Sequence, residues 1–247
     1  MISEDRKNRI KELESRSQTR RIFVFSDFLS PSSIADATDM LKKGSLTVFG
    51  GADFTERKMI RFGNADELGY DEPFPIAVLK ITLTGGKFAT PISHRDVLGA
   101  VTALGIERQK LGDMFVIEGF AYVLADKTVA KLILSDLRSI GRNNVLVEEV
   151  SYLPKDLAPK TETLRFSVSS NRADGIICKV FNLSREDSKT LFQKELVLIN
   201  GKAISNPSRQ LKESETVAVR GFGKFIFVKE DGLSKKNKPY VEIELFV

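Results

Sequence analysis

"SHRDVLGAVTALG", residues 93–105, contains the chain's single histidine, followed at once by an arginine and an aspartate. As chemistry, His-Arg-Asp would open a kinase catalytic loop. That reading needs an Asn five residues after the Asp, a glycine-rich loop and an Asp-Phe-Gly motif, and none is present. As structure, Ser93 precedes the first apolar position of a helix and Asp96 follows three residues later. Ser-x-x-Asp is a capping-box arrangement, in which the hydroxyl takes one free backbone N–H and the carboxylate another. An acidic first turn also suits the helix dipole, by about 0.3–1 kcal/mol. Val97, Leu98, Val101 and Leu104 then share one face. His94 and Arg95 are expected to start a helix, from which they can reach a phosphate, and not to do acid–base chemistry.

Working outward, "IAVLKITLT" (76–84) reads as a strand before this helix. "DMFVI" (113–117) and "FAYVLA" (120–125) pair as a hairpin across Glu118-Gly119. "DKTVAKLILSDLRSIG" (126–141) has Val129, Leu132, Ile133 and Leu137 at helical spacing, with Gly141 as its stop, and "NVLVEEV" (144–150) is a closing strand. This order is ferredoxin-like, the scaffold of RNA-recognition domains. The run "EGFAYVLA" (118–125) approaches the K/R-G-F/Y-G/A-F-V-x-F/Y strand of those domains, with Glu118 and Ala125 as its departures. Phe120 and Tyr122 therefore either pack the hairpin or stack on RNA bases.

The first segment opens with a charged helical stretch from about Ser3 to Ser17, followed by "IFVF" (22–25). "SPSSIADATDMLKKG" (30–44) supplies a second helix, with Ser30 as cap, Pro31 in the first turn and Gly44 as stop. "SLTVFGG" (45–51) and "ERKMIRFG" (56–63) read as partner strands, and Gly50-Gly51 as a turn, since no P-loop Lys-Ser/Thr follows. "ELGYDEPFP" (67–75) has linker composition.

Bulk properties narrow the function classes. One cysteine, Cys178, excludes an internal disulfide, and with one histidine it cannot make an ordinary zinc site. Cys178 lies in the apolar run "GIICKVF" (175–181) and reads as a small buried residue. No metal, cofactor or catalytic residue is expected. No apolar run approaches the ~18 residues of a membrane span, and the charged N-terminus is no signal peptide, so a cytoplasmic protein with no membrane partner is expected. The net charge of +5 is unevenly placed: residues 156–247 carry 16 Lys/Arg against 12 Asp/Glu, whereas residues 1–75 carry 12 against 13. A basic C-terminal end is the footprint of a nucleic-acid-binding module.

That end is also the richest in motifs. A short helix from about Ala173 to Asn182 precedes a second one capped by Ser184, with Asp187 at the capping-box position. Arg185 and Lys189 lie one turn apart on it and make a basic edge. "LVLINGKAI" (196–204) is a hairpin with Asn200-Gly201 at the turn, "TVAVRGFGKFIFV" (216–228) leads into further strands, and "YVEIELFV" (240–247) closes the sheet. "GFGKF" (221–225) lies inside a strand pattern and precedes no helix, so it is no nucleotide loop.

From Arg172 through Ser184-Arg185, Asn200-Gly201-Lys202 and Pro207-Ser208 to "VRGFGKF" (219–225), the sequence resembles the S-four domain, a small RNA-binding module. It departs in reading Arg-Ala-Asp at 172–174 where Arg-Leu-Asp is usual, and Glu195 where a glycine normally precedes the hairpin. With "GGADFTERK" (50–58) and "HRDVLGAVTALGIERQKLGD" (94–113) in the same order, the whole chain resembles the YlmH family. That resemblance implies an α+β protein of three small domains: an N-terminal α/β domain (1–72), a central RNA-recognition-like domain (73–156) and a C-terminal S-four domain (164–247). It also implies a monomer that binds the large ribosomal subunit carrying a stalled peptidyl-tRNA, in quality control that extends the nascent chain with alanine. Ribosomal RNA and tRNA would be its partners, alongside other quality-control factors. Carried over by position, Arg172 and Arg185 are the main RNA contacts, with Lys189, Lys202, Arg220 and Lys224 supporting. Two other classes stay open from sequence. One is an RNA-modifying enzyme with an appended S-four domain, although no Gly-Arg-Leu-Asp-type motif or cofactor turn is found. The other is a scaffold protein connected with cell division.

Overall fold

Ser93 and Asp96 close the expected capping box in a computed structural model that describes residues 4–41, 46–86, 89–234 and 237–247. The Ser93 hydroxyl accepts the Asp96 N–H at 3.3 Å, and the Asp96 carboxylate accepts the Ser93 N–H at 2.7 Å. The Ser93 hydroxyl also donates to that carboxylate at 2.7 Å, and this bond, with the one from the Ser93 N–H, holds the Asp96 carboxyl below its ordinary pKa. His94 is the exposed first residue of the helix that follows.

The N-terminal segment comprises α1 (Glu4–Arg20), β1 (Val24–Phe25), α2 (Pro31–Met40), β2 (Leu46–Phe49), β3 (Met59–Phe62) and α3 (Ala65–Leu68), with a three-stranded antiparallel sheet in the order β1-β3-β2. α1 buries Ile10 and Leu13 against Val24, Ile60 and Phe62. Ser30 caps α2 by accepting the Ser33 N–H. Ser3 and Gly44, the expected limits of α1 and α2, lie outside the described residues. The stretch expected as a linker, 67–75, is packed down. Tyr70 meets Phe23 edge-on at 5.1 Å, Phe74 meets the rings of Phe25 and Phe49, and Arg61 donates to Asp71 and to the Glu72 carbonyl.

The central segment follows with β4 (Ile76–Leu83), α4 (His94–Thr102), β5 (Leu111–Ile117), β6 (Phe120–Asp126), α5 (Lys127–Asp136), β7 (Ser139–Ile140) and β8 (Asn143–Val150). Its antiparallel sheet runs β5-β6-β4-β8-β7, the ferredoxin-like arrangement with a short added strand. α4 and α5 cover one face, burying Val97, Val101, Ala130 and Ile133 on Leu79, Ile81 and Val123. α5 ends at Asp136, short of the expected stop at Gly141. Ile140 is fully buried and pairs with Asn143, so Gly141, at φ +57°, turns a hairpin instead of ending a helix. Tertiary pairing here overrides helical spacing.

The N-terminal and central segments belong to one compact unit, Met1–Ala158. The sheet face opposite α4 and α5 is covered by the N-terminal segment, where Phe28 and Met59 pack with Val78, Tyr122, Leu124 and Leu153. Two of the sequence blocks singled out above form this joint. Arg57 donates through Nε to the Leu111 carbonyl at 2.9 Å and through Nη2 to the Phe28 carbonyl at 2.9 Å. In return, the Asp113 carboxylate accepts the N–H groups of Glu56 and Arg57. Burial raises the Asp113 pKa against the opposing pull of those N–H bonds. Lys110 bridges Asp27 at 2.7 Å and Asp126 at 3.3 Å. Burial works to lower the Lys110 pKa, but the two carboxylates outweigh it and raise it.

The second unit, Pro159–Val247, contains β9 (Thr161–Ser167), α6 (Ala173–Val180), α7 (Arg185–Gln193), β10 (Val197–Ile199), β11 (Lys202–Ala203), β12 (Glu215–Val219), β13 (Gly223–Leu233) and β14 (Pro239–Phe246). Its sheet runs β11-β10-β12-β13-β14-β9. The core joins Ile176, Ile177 and Phe192 of the helices to Val217, Phe225, Phe227 and Ile243 of the strands. β9 was missed by sequence reading, although Leu164, Phe166 and Val168 alternate in the way a half-buried strand requires. Asn200 and Gly201, at φ +49° and +76°, make the expected β10–β11 turn. Glu195 has φ +53°, so the backbone takes a left-handed turn where a glycine would carry no steric penalty.

Two stability predictions follow from these contacts. A Cβ on Gly112 would lie 2.7 Å from the Phe28 ring and 2.9 Å from Leu124 Cβ. Gly112→Ala should cost about 1–3 kcal/mol and speed hydrogen exchange at the Phe28 amide, which donates to Gln109; an unchanged rate would refute the tight joint. Glu195→Gly should stabilise the second unit by about 0.5–1 kcal/mol, because relief of the left-handed strain of ~1–2 kcal/mol exceeds glycine's added chain entropy. Slowed exchange of the α7 and β10 amides in the full chain would register that gain, and faster exchange would contradict it.

Candidate nucleic-acid interface

The helix starts of the second unit decide where its cations stand. Arg172 is the N-cap residue of α6 and Arg185 the first residue of α7. The Ser184 hydroxyl accepts the Asp187 N–H at 3.0 Å and donates to the Asp187 carboxylate at 2.6 Å, the expected cap of α7. Lys189, one turn along, lies on the same side of α7 as Arg185. α6 and α7 are tied together where Ser188 Oγ donates to the Asp174 carbonyl at 3.2 Å.

Arg172, Arg185 and Lys189 line one cleft of about 780 Å³. Arg172 is held there by a two-pronged ion pair, Nε to Asp174 Oδ1 at 3.1 Å and Nη2 to Oδ2 at 2.7 Å. The hydrogen bonds and charge of Asp174 raise the Arg172 pKa. A guanidinium fixed in this way loses little rotamer freedom when it meets a phosphate. Arg185 and Lys189 are exposed. Two more cations line the cleft that sequence reading missed, Lys179 at the end of α6 and Lys238 just before β14. Cys178 also lines it, half-buried, with its thiol 3.4 Å from the Ser184 carbonyl.

The other expected contacts do not join this cleft. Lys202 pairs with Ile199, whose side chain is buried, and so stands on the helix-bearing face at the sheet's edge. Lys224 pairs with Ala218 on the opposite face, where its ammonium lies 4.1 Å from the Phe246 ring centre. Arg220 is exposed just after β12, its N–H bonded to the Leu196 carbonyl.

In the first unit the structure corrects one expectation. Tyr122 is only 8% exposed, within the joint between the N-terminal segment and the central sheet, where no base can stack on it. RNA-recognition domains present such a face to bases; here protein occupies it. Phe120 lies at the open end of the same face, half-buried, with Lys80 Nζ 5.0 Å from its ring centre. Among the described residues no cluster of three or more His, Cys, Asp or Glu could hold a metal ion, and no helix is long and apolar enough to cross a membrane.

Residues 70–153 match a family model described as "Putative RNA-binding domain in YlmH". Over 222 residues the chain is 28% identical to the ribosome-associated protein quality control protein P2 of Bacillus subtilis (strain 168), covering 89% of this chain and 86% of that protein. The fold is similar to that of the cell division protein ylmH from Streptococcus pneumoniae, with a TM-score of 0.50 and 19% identity over 61% of this chain and 93% of that one. The resemblance carried by the sequence blocks is therefore met by a family model over residues 70–153 and by a relative similar over most of the chain, and the α+β fold is similar to that of a YlmH protein over 61% of the chain.

Proposed function

We propose that the chain is a non-catalytic RNA-binding factor acting in ribosome-associated quality control. Its target is the large ribosomal subunit with a stalled peptidyl-tRNA, whose nascent chain is being extended with alanine, and its work is cytoplasmic. The second unit makes the RNA contacts, to ribosomal RNA and to the tRNA. The observation that carries this reading is the convergence of Arg172, Arg185 and Lys189 on one cleft, as the S-four resemblance requires. The relative in Bacillus subtilis, by its name a ribosome-associated quality control protein, supports the setting. Phosphate contacts by arginine and lysine supply affinity and position rather than sequence choice. Lys202, Arg220 and Lys224 stand apart from the cleft and serve RNA that extends beyond it. Phe120 remains available at the open end of the central sheet for one further contact.

Co-sedimentation with large subunits, with and without peptidyl-tRNA, across a salt series tests this. Binding should strengthen with peptidyl-tRNA and fall steeply with salt. The Arg172→Ala/Arg185→Ala double variant should flatten the slope of log K against log salt by about two units. No subunit binding at low salt would overturn the proposal, and binding of the double variant equal to that of the unaltered protein would overturn its site. Capture of other proteins that survives nuclease, without subunit binding, would favour a scaffold role instead.

A further inference from the structure

The cleft is not built from the two helices alone. Its far wall comes from the end of β9, the loop after it, and Lys238 at the entry to β14. β14 pairs with β9 along its whole length, from Phe246 opposite Thr161 to Tyr240 opposite Ser167. The ladder is extended by Val168, which donates its N–H to the Pro239 carbonyl at 2.9 Å. This pairing carries Lys238 to the serine loop 167–170 that leads into α6. The Ser234 N–H donates to the Lys238 carbonyl at 2.8 Å, and the Lys238 N–H donates to Ser234 Oγ at 3.0 Å. Asn237 takes the left-handed conformation, φ +57°, that asparagine tolerates better than most residues. Lys238 is thus held by its bonds to Ser234 at the rim of the cleft, and it is exposed.

We propose that Lys238, at the entry to β14, is a second phosphate-contacting element of the RNA site, with Lys179 its counterpart on the helix side. The proposal rests on the RNA-binding reading above and extends it to a part of the chain that lies beyond the S-four sequence pattern, which ends at Phe225. Charge supports it. Five cations line the cleft, Arg172, Lys179, Arg185, Lys189 and Lys238, against one carboxylate, Asp174, among the described residues. Asp174 is already committed to Arg172, so the lysines have no carboxylate in the cleft to satisfy them. Ser167, Ser169 and Ser170 add hydroxyls along the same wall, suited to phosphate oxygens or a ribose 2′-hydroxyl. A polyanion lying in the cleft would meet cations from both walls, which fixes its path between α6–α7 and Lys238.

The test is co-sedimentation of the full chain with large ribosomal subunits across a salt series, comparing Lys238→Ala, Lys238→Glu and the Arg185→Ala/Lys189→Ala double variant. Lys229→Ala, on the same hairpin but facing Glu242, is the control. Lys238→Ala should reduce the salt slope by about one unit, Lys238→Glu should weaken binding more than tenfold, and Lys229→Ala should bind as the unaltered protein does. Unchanged thermal unfolding of the Lys238 variants separates loss of contact from loss of fold. If the double variant loses binding while both Lys238 variants bind normally, this inference is wrong and the helix-side site stands. If the double variant also binds normally, the proposed site itself is wrong, and this inference falls with it.

Discussion

A reciprocal clasp holds the first unit together. Arg57, from the N-terminal segment, donates its guanidinium N–H groups to carbonyls on both sides of the joint, while Asp113, from the central sheet, accepts backbone N–H groups of the N-terminal segment. Each charge meets backbone groups at the joint, most of them partly withdrawn from water, and Arg108 reinforces one of them by donating to the Leu111 carbonyl at 2.6 Å. Gly112 sits between these groups because a side chain there would strike Phe28 and Leu124. Because each side chain bonds backbone groups, loss of one removes its own half of the clasp and leaves the backbone bonds of the other half in place. The clasp in turn keeps the N-terminal segment on the central sheet, and that decides which surfaces remain for a ligand.

The second unit handles charge in the opposite way. Among the described residues, only Arg172 of the cleft cations has a fixed carboxylate partner, and that pair is itself partly exposed. The lysines stay in water, where their attraction to a polyanion is long-ranged and screened by salt over about 8–10 Å. The arrangement combines one pre-positioned guanidinium, Arg172, with four exposed cations, Lys179, Arg185, Lys189 and Lys238. It suits a ligand with many equivalent phosphates better than one small anion in a tight pocket.

What could be read from sequence was local. The capping box at Ser93, the hydroxyl cap at Ser184, the Asn200-Gly201 turn and the strand–helix order of the central segment depend on residues close in the chain, and all appear in the structure. What was misread or missed depends on distant partners. α5 stops early because Ile140 finds a place in the sheet. Tyr122 is hidden by Phe28 and Met59, which come from the N-terminal segment more than sixty residues earlier in the chain. Lys238 reaches the cleft only because β14 pairs with β9, and no short motif records a contact between residues 168 and 239. Glu195 shows the converse case: the residue departs from the family pattern, yet neighbouring structure forces the backbone into the glycine-like turn.

The occupied sheet face bears on how such a chain may be divided. Residues 70–153 match a family model as a self-contained block, yet the apolar face formed by Val78, Tyr122 and Leu124 is completed by Phe28 and Met59 from outside it. Cut at those limits, the central segment would turn an open apolar surface to water, of the kind that drives association between copies. The unit of sequence similarity is here smaller than the unit of folding. Evolution of the N-terminal segment and of the central sheet is correspondingly tied, since neither can change its share of the joint without the other.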